Sequence, residues 1–359
     1  MRCYKLKIKN EFFNNPDHCF IIAEAGSNWK ASSKRESINR AKKLIDVAAK
    51  SGADAIKFQT YNAKSVYVEN AGESKYLKKN GIRKKITDIF DEYSMKSSML
   101  PILSKHCQKR KILFMSTPFS VDDAKNVNKF VTIHKIASYE INHVKLLEYI
   151  AKTKKPVIIS TGASNIDEIN FAVKLLRKNG CKNIAILQCT AKYPAPIESL
   201  NLNTVIQMKK IFKVPIGFSD HSEDPIIGPL TAIGLGATII EKHFTIDKTL
   251  EGPDHFFALN PIELKQMINA IRKSEIARGK KIKKIEPIEK ELRQFAVRSI
   301  QTIVDIKKGD RFVLDKNYAF LRPGNQKRGE EPRFWRKIEG RISKRNISKG
   351  CGILIKDCA

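Results

Sequence analysis

No stretch of this 359-residue chain approaches the roughly 18 uncharged apolar residues that a membrane-spanning helix needs, so no membrane partner is expected. Paired cysteines are lacking too. The seven present, Cys3, Cys19, Cys107, Cys181, Cys189, Cys351 and Cys358, are odd in number, scattered and without a CxxC pair. That argues against both a disulfide framework and a structural zinc site. The N-terminal MRCYKLKIKNEFF is basic but has no continuous apolar region and no small-residue cleavage site, so it does not read as a signal peptide, and a cytosolic protein is expected. There is no Walker loop. The lone GLG at Gly234–Gly236 sits inside a helix-like run, so a nucleotide is not indicated. Acidic residues are scarce, 37 against 67 Lys and Arg, for a formal charge of +30. The excess is spread over nearly every helix and loop without a basic arm or an aromatic-interleaved patch. Nucleic acid is therefore not the expected partner, although the field favours anionic small substrates and would weaken in salt.

What the chain does have is repetition. Eight short apolar runs occur at Cys19–Ala23, Ala53–Phe58, Ile112–Met115, Val131–Ile136, Val157–Ile159, Ile184–Leu187, Val214–Phe218 and Ala237–Ile240. Helical periodicity fills the gaps, as at Arg35–Ala49, Ser97–Gln108, Val144–Lys152, Ile166–Arg177, Asn203–Ile211 and Pro225–Leu235. Near-continuous apolar strands alternating with helices predict a parallel (β/α)8 TIM barrel. The segment Asn62–Ser97 is too long for an ordinary connection, and loops of that length are often functional.

In such a barrel the residues at the carboxyl ends of the strands line the active face. Here they read Glu24; Lys57 and Gln59; Thr117; Lys135, Ser138 and Glu140; Ser160 and Thr161; Gln188, Thr190 and Tyr193; Ser219, Asp220 and His221; Glu241 and His243. No strand exits into an apolar end. Lys57 and Lys135 among Thr117, Ser138, Ser160 and Ser219 offer the charge and hydroxyl donors that a phosphate or phosphorylated carboxylate requires. Parallel strands open on the same side, so His221 and His243 converge, and two imidazoles with carboxylates beside them make a divalent-metal site. Held by only two side chains, an ion keeps open positions that can polarise a carbonyl. Glu24 and Glu140 remain to orient a polyol or shuttle a proton.

The motifs IAEAGSNW (22–29), IKFQT (56–60), STPF (116–119), KIASYE (135–140), ISTG (159–162), CTAKYPAP (189–196), GFSDHS (217–222), EKHFTIDKTLEGPDH (241–255) and LRPGN (321–325) resemble the sialic acid synthase family, in order over almost the whole chain. The resemblance implies condensation of phosphoenolpyruvate with the open-chain aldehyde of an N-acetylated hexosamine, giving a nine-carbon 2-keto acid and phosphate. It places phosphoenolpyruvate on Lys57, Thr117, Lys135, Ser138, Ser160 and Ser219, and manganese or magnesium on His221 and His243. It gives the sugar to Gln59, Glu140, Tyr193 and Asp254, sets Glu24 near the reacting carbons, and assigns Glu241 to support the metal end. One departure is Ala191, where the family often carries Asn or Ser; it removes one phosphate contact, or leaves it to water or Thr190. It is also the only support for the alternative, a non-catalytic sugar-acid-binding or assembly protein that keeps the barrel.

Beyond Ala277 the composition changes. The expected organisation is a synthase barrel over 1–280, a charged linker over 281–297 and a small β-rich domain over 298–359. Within the last, DIKKGDRFVL (305–314) and NISKGCGILI (346–355) look like two copies of one strand–turn unit. The resemblance identifies this domain as the antifreeze-like (SAF) domain. It implies a domain-swapped homodimer in which Arg322 of LRPGN covers the partner's sugar.

Overall fold

The computed structural model describes residues 15, 17–74, 77–78, 83–279 and 282–359. The chain divides into two compact units, Met1–Gly279 and Lys280–Ala359. In the first, eight parallel strands form one sheet: β1 (Phe20–Gly26), β2 (Ala55–Thr60), β3 (Leu113–Pro118), β4 (His134–Ile136), β5 (Val157–Ser160), β6 (Ile184–Cys189), β7 (Ile216–Asp220) and β8 (Ile239–His243). Their order is β3-β2-β1-β8-β7-β6-β5-β4, and β3 lies beside β4 without a ladder, so the sheet is a nearly closed (β/α)8 barrel.

The helices between them begin and end where the local chemistry says they should. α1 (Lys34–Ser51) starts at Ser33, which accepts from Glu36 N in a capping box, and stops at Gly52 in the left-handed region. α2 (Ile86–Glu92) lies within the long β2–β3 connection, and α3 (Leu100–Arg110), α4 (Val121–Asn128) and α5 (Val144–Lys152) follow. α6 (Ile166–Lys178) is capped by Asn165 and Glu168. After α7 (Thr204–Phe212) and α8 (Ile227–Gly234), α9 (Pro261–Arg278) closes the ring, with Asn260 and Glu263 as its capping box. Sequence periodicity places α5 as found. The short, polar α4 lies in the gap between the third and fourth apolar runs.

Alternation along each strand divides the core in two. Phe20, Ile22, Ala55, Met115, Ile133, Ile158, Ala185, Leu187 and Ile239 form one buried cluster inside the barrel. Their neighbours Ile21, Ala23, Ile56, Phe58, Phe114, Ile159, Ile186, Phe218 and Ile240 face outward into a cluster shared with the helices. Gly217 shows how tight the interior is: a Cβ there would lie 2.5 Å from both the Ile239 carbonyl oxygen and Leu187 Cδ2. The apolar layer blocks the amino-terminal end, leaving the carboxyl end for polar side chains.

The second unit opens with helical turns at Pro287–Glu289 and α10 (Lys290–Ala296), so the stretch read as a linker carries regular structure. β9 (Ser299–Thr302) pairs antiparallel with β10 (Tyr318–Leu321) over a small core that includes Ile300, Ile306, Phe312, Tyr318, Ile347 and Ile353. The two sequence copies meet each other. Ile306 and Ile347 exchange both backbone hydrogen bonds at 2.8 Å; Lys308 N donates to Asn346 Oδ1 and, reciprocally, Lys349 N to Asp305 Oδ1. Among the described residues no helix is long and apolar enough to cross a membrane.

Candidate functional site

The polar residues expected just past the strands lie mostly within them. Glu24, Lys57, Gln59, Thr117, Lys135, Ser160, Ser219, Glu241 and His243 belong to their strands, one step of the alternation beyond the interior layer or, for Gln59 and His243, two. Lys57 follows Ala55, Thr117 follows Met115, Lys135 follows Ile133, Ser160 follows Ile158 and Glu241 follows Ile239. Register then sets Glu24 opposite Lys57 on one side and His243 on the other, and Ser219 opposite Glu241.

These side chains line a cavity of about 700 Å³, within the usual range for a small-molecule site. All fourteen first-unit candidates border it: Glu24, Lys57, Gln59, Thr117, Lys135, Ser138, Glu140, Ser160, Tyr193, Ser219, His221, Glu241, His243 and Asp254. Arg322 is not among them. It is exposed in the second unit, directly after β10, and makes no ion pair among the described residues.

At the floor is a buried charge network. Lys57 Nζ is 2.8 Å from Glu24 and 3.6 Å from Glu241, and donates to Thr117 Oγ1 at 3.0 Å. Burial opposes the Lys57 ammonium, but Glu24 and then Glu241 outweigh it, so its pKa rises. Lys135 donates to Ser160 Oγ at 2.6 Å and is 3.8 Å from Glu241. Its burial wins over Glu241, pulling the pKa down to about 8. Glu24, bonded also by Gln59 at 3.1 Å, has its pKa raised by burial, against the pull of Lys57. Glu140 at the rim is pushed up to about 7 by burial and then by Asp123. Two lysines against two carboxylates leave hydroxyl donors and ammonium protons for an entering anion, and a carboxylate close to neutrality for proton transfer.

The imidazoles converge, with ring centroids 5.6 Å apart. His221 Nδ1 donates to the Thr190 carbonyl oxygen at 2.8 Å, which leaves Nε2 as the electron-pair donor. His243 is held neutral, its pKa pulled down to about 3 by burial, and its Nδ1 is buried without a hydrogen-bond partner. Tyr193 stacks on His221 at 4.1 Å. His221 is the more basic of the two, its pKa raised against the effect of burial chiefly by Cys189, and with its Nε2 deprotonated the two rings at this spacing fit a divalent ion. Among the described residues no group of three His, Cys, Asp or Glu is arranged around one, so the remaining positions would fall to substrate or water. Asp254 comes from the loop after β8 and accepts from Ser27 N at 2.9 Å and Ser27 Oγ at 2.7 Å. It lies over Gly26, where a Cβ would come within 2.5 Å of its Oδ2; Gly26 also has φ +48.

Several residues placed at the strand ends do other work. Asp220 and Lys242 pair at 2.6 Å on the outer side of the barrel. Thr161 donates to the Leu187 carbonyl, Gln188 to that of Leu200 and Thr190 to that of Ser199. The Thr190 hydroxyl is therefore not offered to a phosphate in place of the side chain missing at Ala191. Cys189, absent from the sequence-based candidates, lines the cavity with its Sγ 3.7 Å from His221 Nδ1. The signal for it was available, since Ala185, Leu187 and Cys189 continue the inward alternation of β6. The long β2–β3 connection supplies a further wall of Val66, Tyr67, Ile86, Ile89, Phe90 and Tyr93, which apolarity alone does not tell from core.

Fold and cavity together define a barrel protein with two buried lysines, hydroxyl donors and a facing pair of imidazoles gathered at the carboxyl ends of its strands. The chain belongs to the NeuB family, whose model matches residues 44–283. It is 39% identical to the spore coat polysaccharide biosynthesis protein SpsE of Bacillus subtilis, over 98% of this chain and 96% of that protein. It is 38% identical to the N,N'-diacetyllegionaminic acid synthase of Campylobacter jejuni, over 92% of this chain and 97% of that enzyme. The crystal structure of N-acetylneuraminic acid synthetase from Leptospira borgpetersenii in complex with citrate superposes with a TM-score of 0.68 at 33% identity, covering 78% of this chain and 92% of that one.

Proposed function

We propose that this protein is a nonulosonic acid synthase, condensing phosphoenolpyruvate with the open-chain aldehyde of an N-acetylated hexosamine to give a nine-carbon 2-keto acid and inorganic phosphate. The observation that carries this reading is the union, in one cavity of a NeuB-family barrel, of the Lys57–Lys135 hydroxyl cluster with the His221–His243 pair. C3 of phosphoenolpyruvate forms the new bond to the aldehyde carbon; water then adds at C2, and phosphate leaves with cleavage of its C–O bond. Lys57 and Lys135, with Thr117, Ser138, Ser160 and Ser219, hold the phosphate and carboxylate and neutralise charge as phosphate departs. Glu24 faces the reacting carbons and takes the proton of the attacking water. Gln59, Glu140, Tyr193 and Asp254 orient the sugar, supplying the proximity that turns a two-substrate encounter into one step. Manganese or magnesium, held by His221 and His243 with Glu241 behind, would supply a Lewis acid for the aldehyde oxygen.

In the same reading residues 298–359 are an antifreeze-like SAF domain that crosses to the second copy of a homodimer, where Arg322 covers the partner's sugar; the enzyme works in the cytoplasm. Phosphate release from a panel of N-acetylated hexosamines, with mass spectrometry of the product, tests the proposal. Release that needs both phosphoenolpyruvate and one of the sugars supports it, and none with any sugar refutes it. Arg322→Ala is expected to raise KM for the sugar more than KM for phosphoenolpyruvate.

A further inference from the structure

The Asp220–Lys242 pair is buried on both sides, with neither side chain in the cavity. The two residues stand directly opposite each other in the β7–β8 register. Each immediately precedes one of the imidazoles, His221 and His243, and by alternation points the other way. The contacts reach further than one ion pair. Lys242 Nζ donates to Asp220 Oδ2 at 2.6 Å, to the Ser222 carbonyl at 2.6 Å, to Ser222 Oγ at 3.1 Å and to the Asp224 carbonyl at 3.0 Å. The other carboxylate oxygen of Asp220 accepts from Ser222 N at 2.8 Å. The turn that follows His221 is thus wrapped around the ammonium of the residue that precedes His243. Gly228 leaves room for this on the helix side, since a Cβ there would lie 2.9 Å from Asp220 Oδ2.

We infer that Asp220 and Lys242 are positioning residues that set the separation of the His221 and His243 rings, and with it the affinity of the site for a divalent cation. The inference rests on the metal part of the function proposed above. A pair needed only for stability could be replaced by any well-packed apolar pair without consequence for ion binding. A pair that fixes two donors cannot, because partners behind metal-binding imidazoles typically change affinity by about 10–100-fold.

The test uses the full-length protein. Binding of Mn²⁺ is measured from the electron paramagnetic resonance signal of the free ion for the wild type, Asp220→Asn, Lys242→Met and the apolar double variant Asp220→Leu/Lys242→Met. Each folded variant is expected to bind Mn²⁺ about 10–100-fold more weakly, while phosphoenolpyruvate binding without metal stays at the wild-type level. Variants with wild-type circular dichroism and wild-type Mn²⁺ affinity overturn the inference, as does failure of all three to fold, which would make the pair purely structural. Where one or two of the variants fail to fold, those that fold decide by the same measurement. A wild type that binds no Mn²⁺ overturns the metal site and the clamp together. Binding that is intact in the wild type and weakened in the variants supports the clamp even without phosphate release, an outcome that would count against the synthase reading alone.

Discussion

Replacing Lys57 with Met removes the cation at the centre of the buried network and leaves Glu24 and Glu241 facing each other across an apolar stem. The lost attraction is large: at 2.8 Å and an effective dielectric of about 20, two unit charges attract by roughly 6 kcal/mol. Most of that offsets the desolvation of the charges. The observable loss on breaking one partner of a buried pair is about 3–5 kcal/mol, and about 3 kcal/mol is expected for the barrel at pH 8. The loss must depend on pH, and its sign follows from Glu24. Burial already raises the folded pKa of Glu24, with Lys57 the strongest opposing influence; without the lysine it rises further. A carboxyl whose folded pKa exceeds its unfolded value, about 4.3, is not penalised below that value. The penalty grows as the pH climbs from there to the folded pKa, and is then constant. Urea denaturation of the wild type and Lys57→Met at pH 5 and pH 8 should therefore show the larger loss at pH 8. Equal losses at both pH values would refute the account of Lys57 as the counter-charge of Glu24.

Other expectations concern the core, the anion and the ion. Leu187→Ala opens a void in the fully buried interior layer and should cost about 2–5 kcal/mol in denaturant unfolding. Because the Lys135 pKa lies near 8, its charge is present below that pH and lost above it. Accordingly kcat/KM for phosphoenolpyruvate should fall above about pH 8, and Lys135→Arg, which keeps its charge, should lose this inflection whatever its overall activity. Chelator treatment and His221→Ala should each abolish phosphate release, measured with both substrates present; full activity in chelated protein would remove the metal from the reading.

The polar ends of the strands show where sequence reading stops. Apolar runs located all eight strands but stopped seven of them too early, for example at Ala23, Phe58, Met115 and Ile240 instead of Gly26, Thr60, Pro118 and His243; only the run through β4 ends with its strand, at Ile136. Hydrophobicity marks what is buried against other side chains, whereas a ladder continues wherever backbone pairs remain. Here it continues through the layer of Lys, Glu, Ser and His that forms the floor of the cavity. The same limitation affected Asp220 and Lys242. Adjacent residues in a strand differ by which face they take, so a polar dipeptide such as Asp220-His221 looks like one functional group until the barrel sends half of it outward.

The sequence by itself determined the class of fold, because strand and helix periods and helix caps are local properties of the chain, and it determined the membership of the polar layer, because alternation of period two carries each strand's inward set to its end. It also exposed the duplicated strand–turn unit at the carboxyl-terminal end. Only the tertiary structure decided which of those polar groups meet: that Lys57 sits 2.8 Å from Glu24, that two imidazoles separated by twenty-one residues in sequence face each other, and that the wall of the β2–β3 connection joins them. Those distances are set by register and closure of the sheet, which couple strands far apart in the chain through contacts that no local pattern encodes.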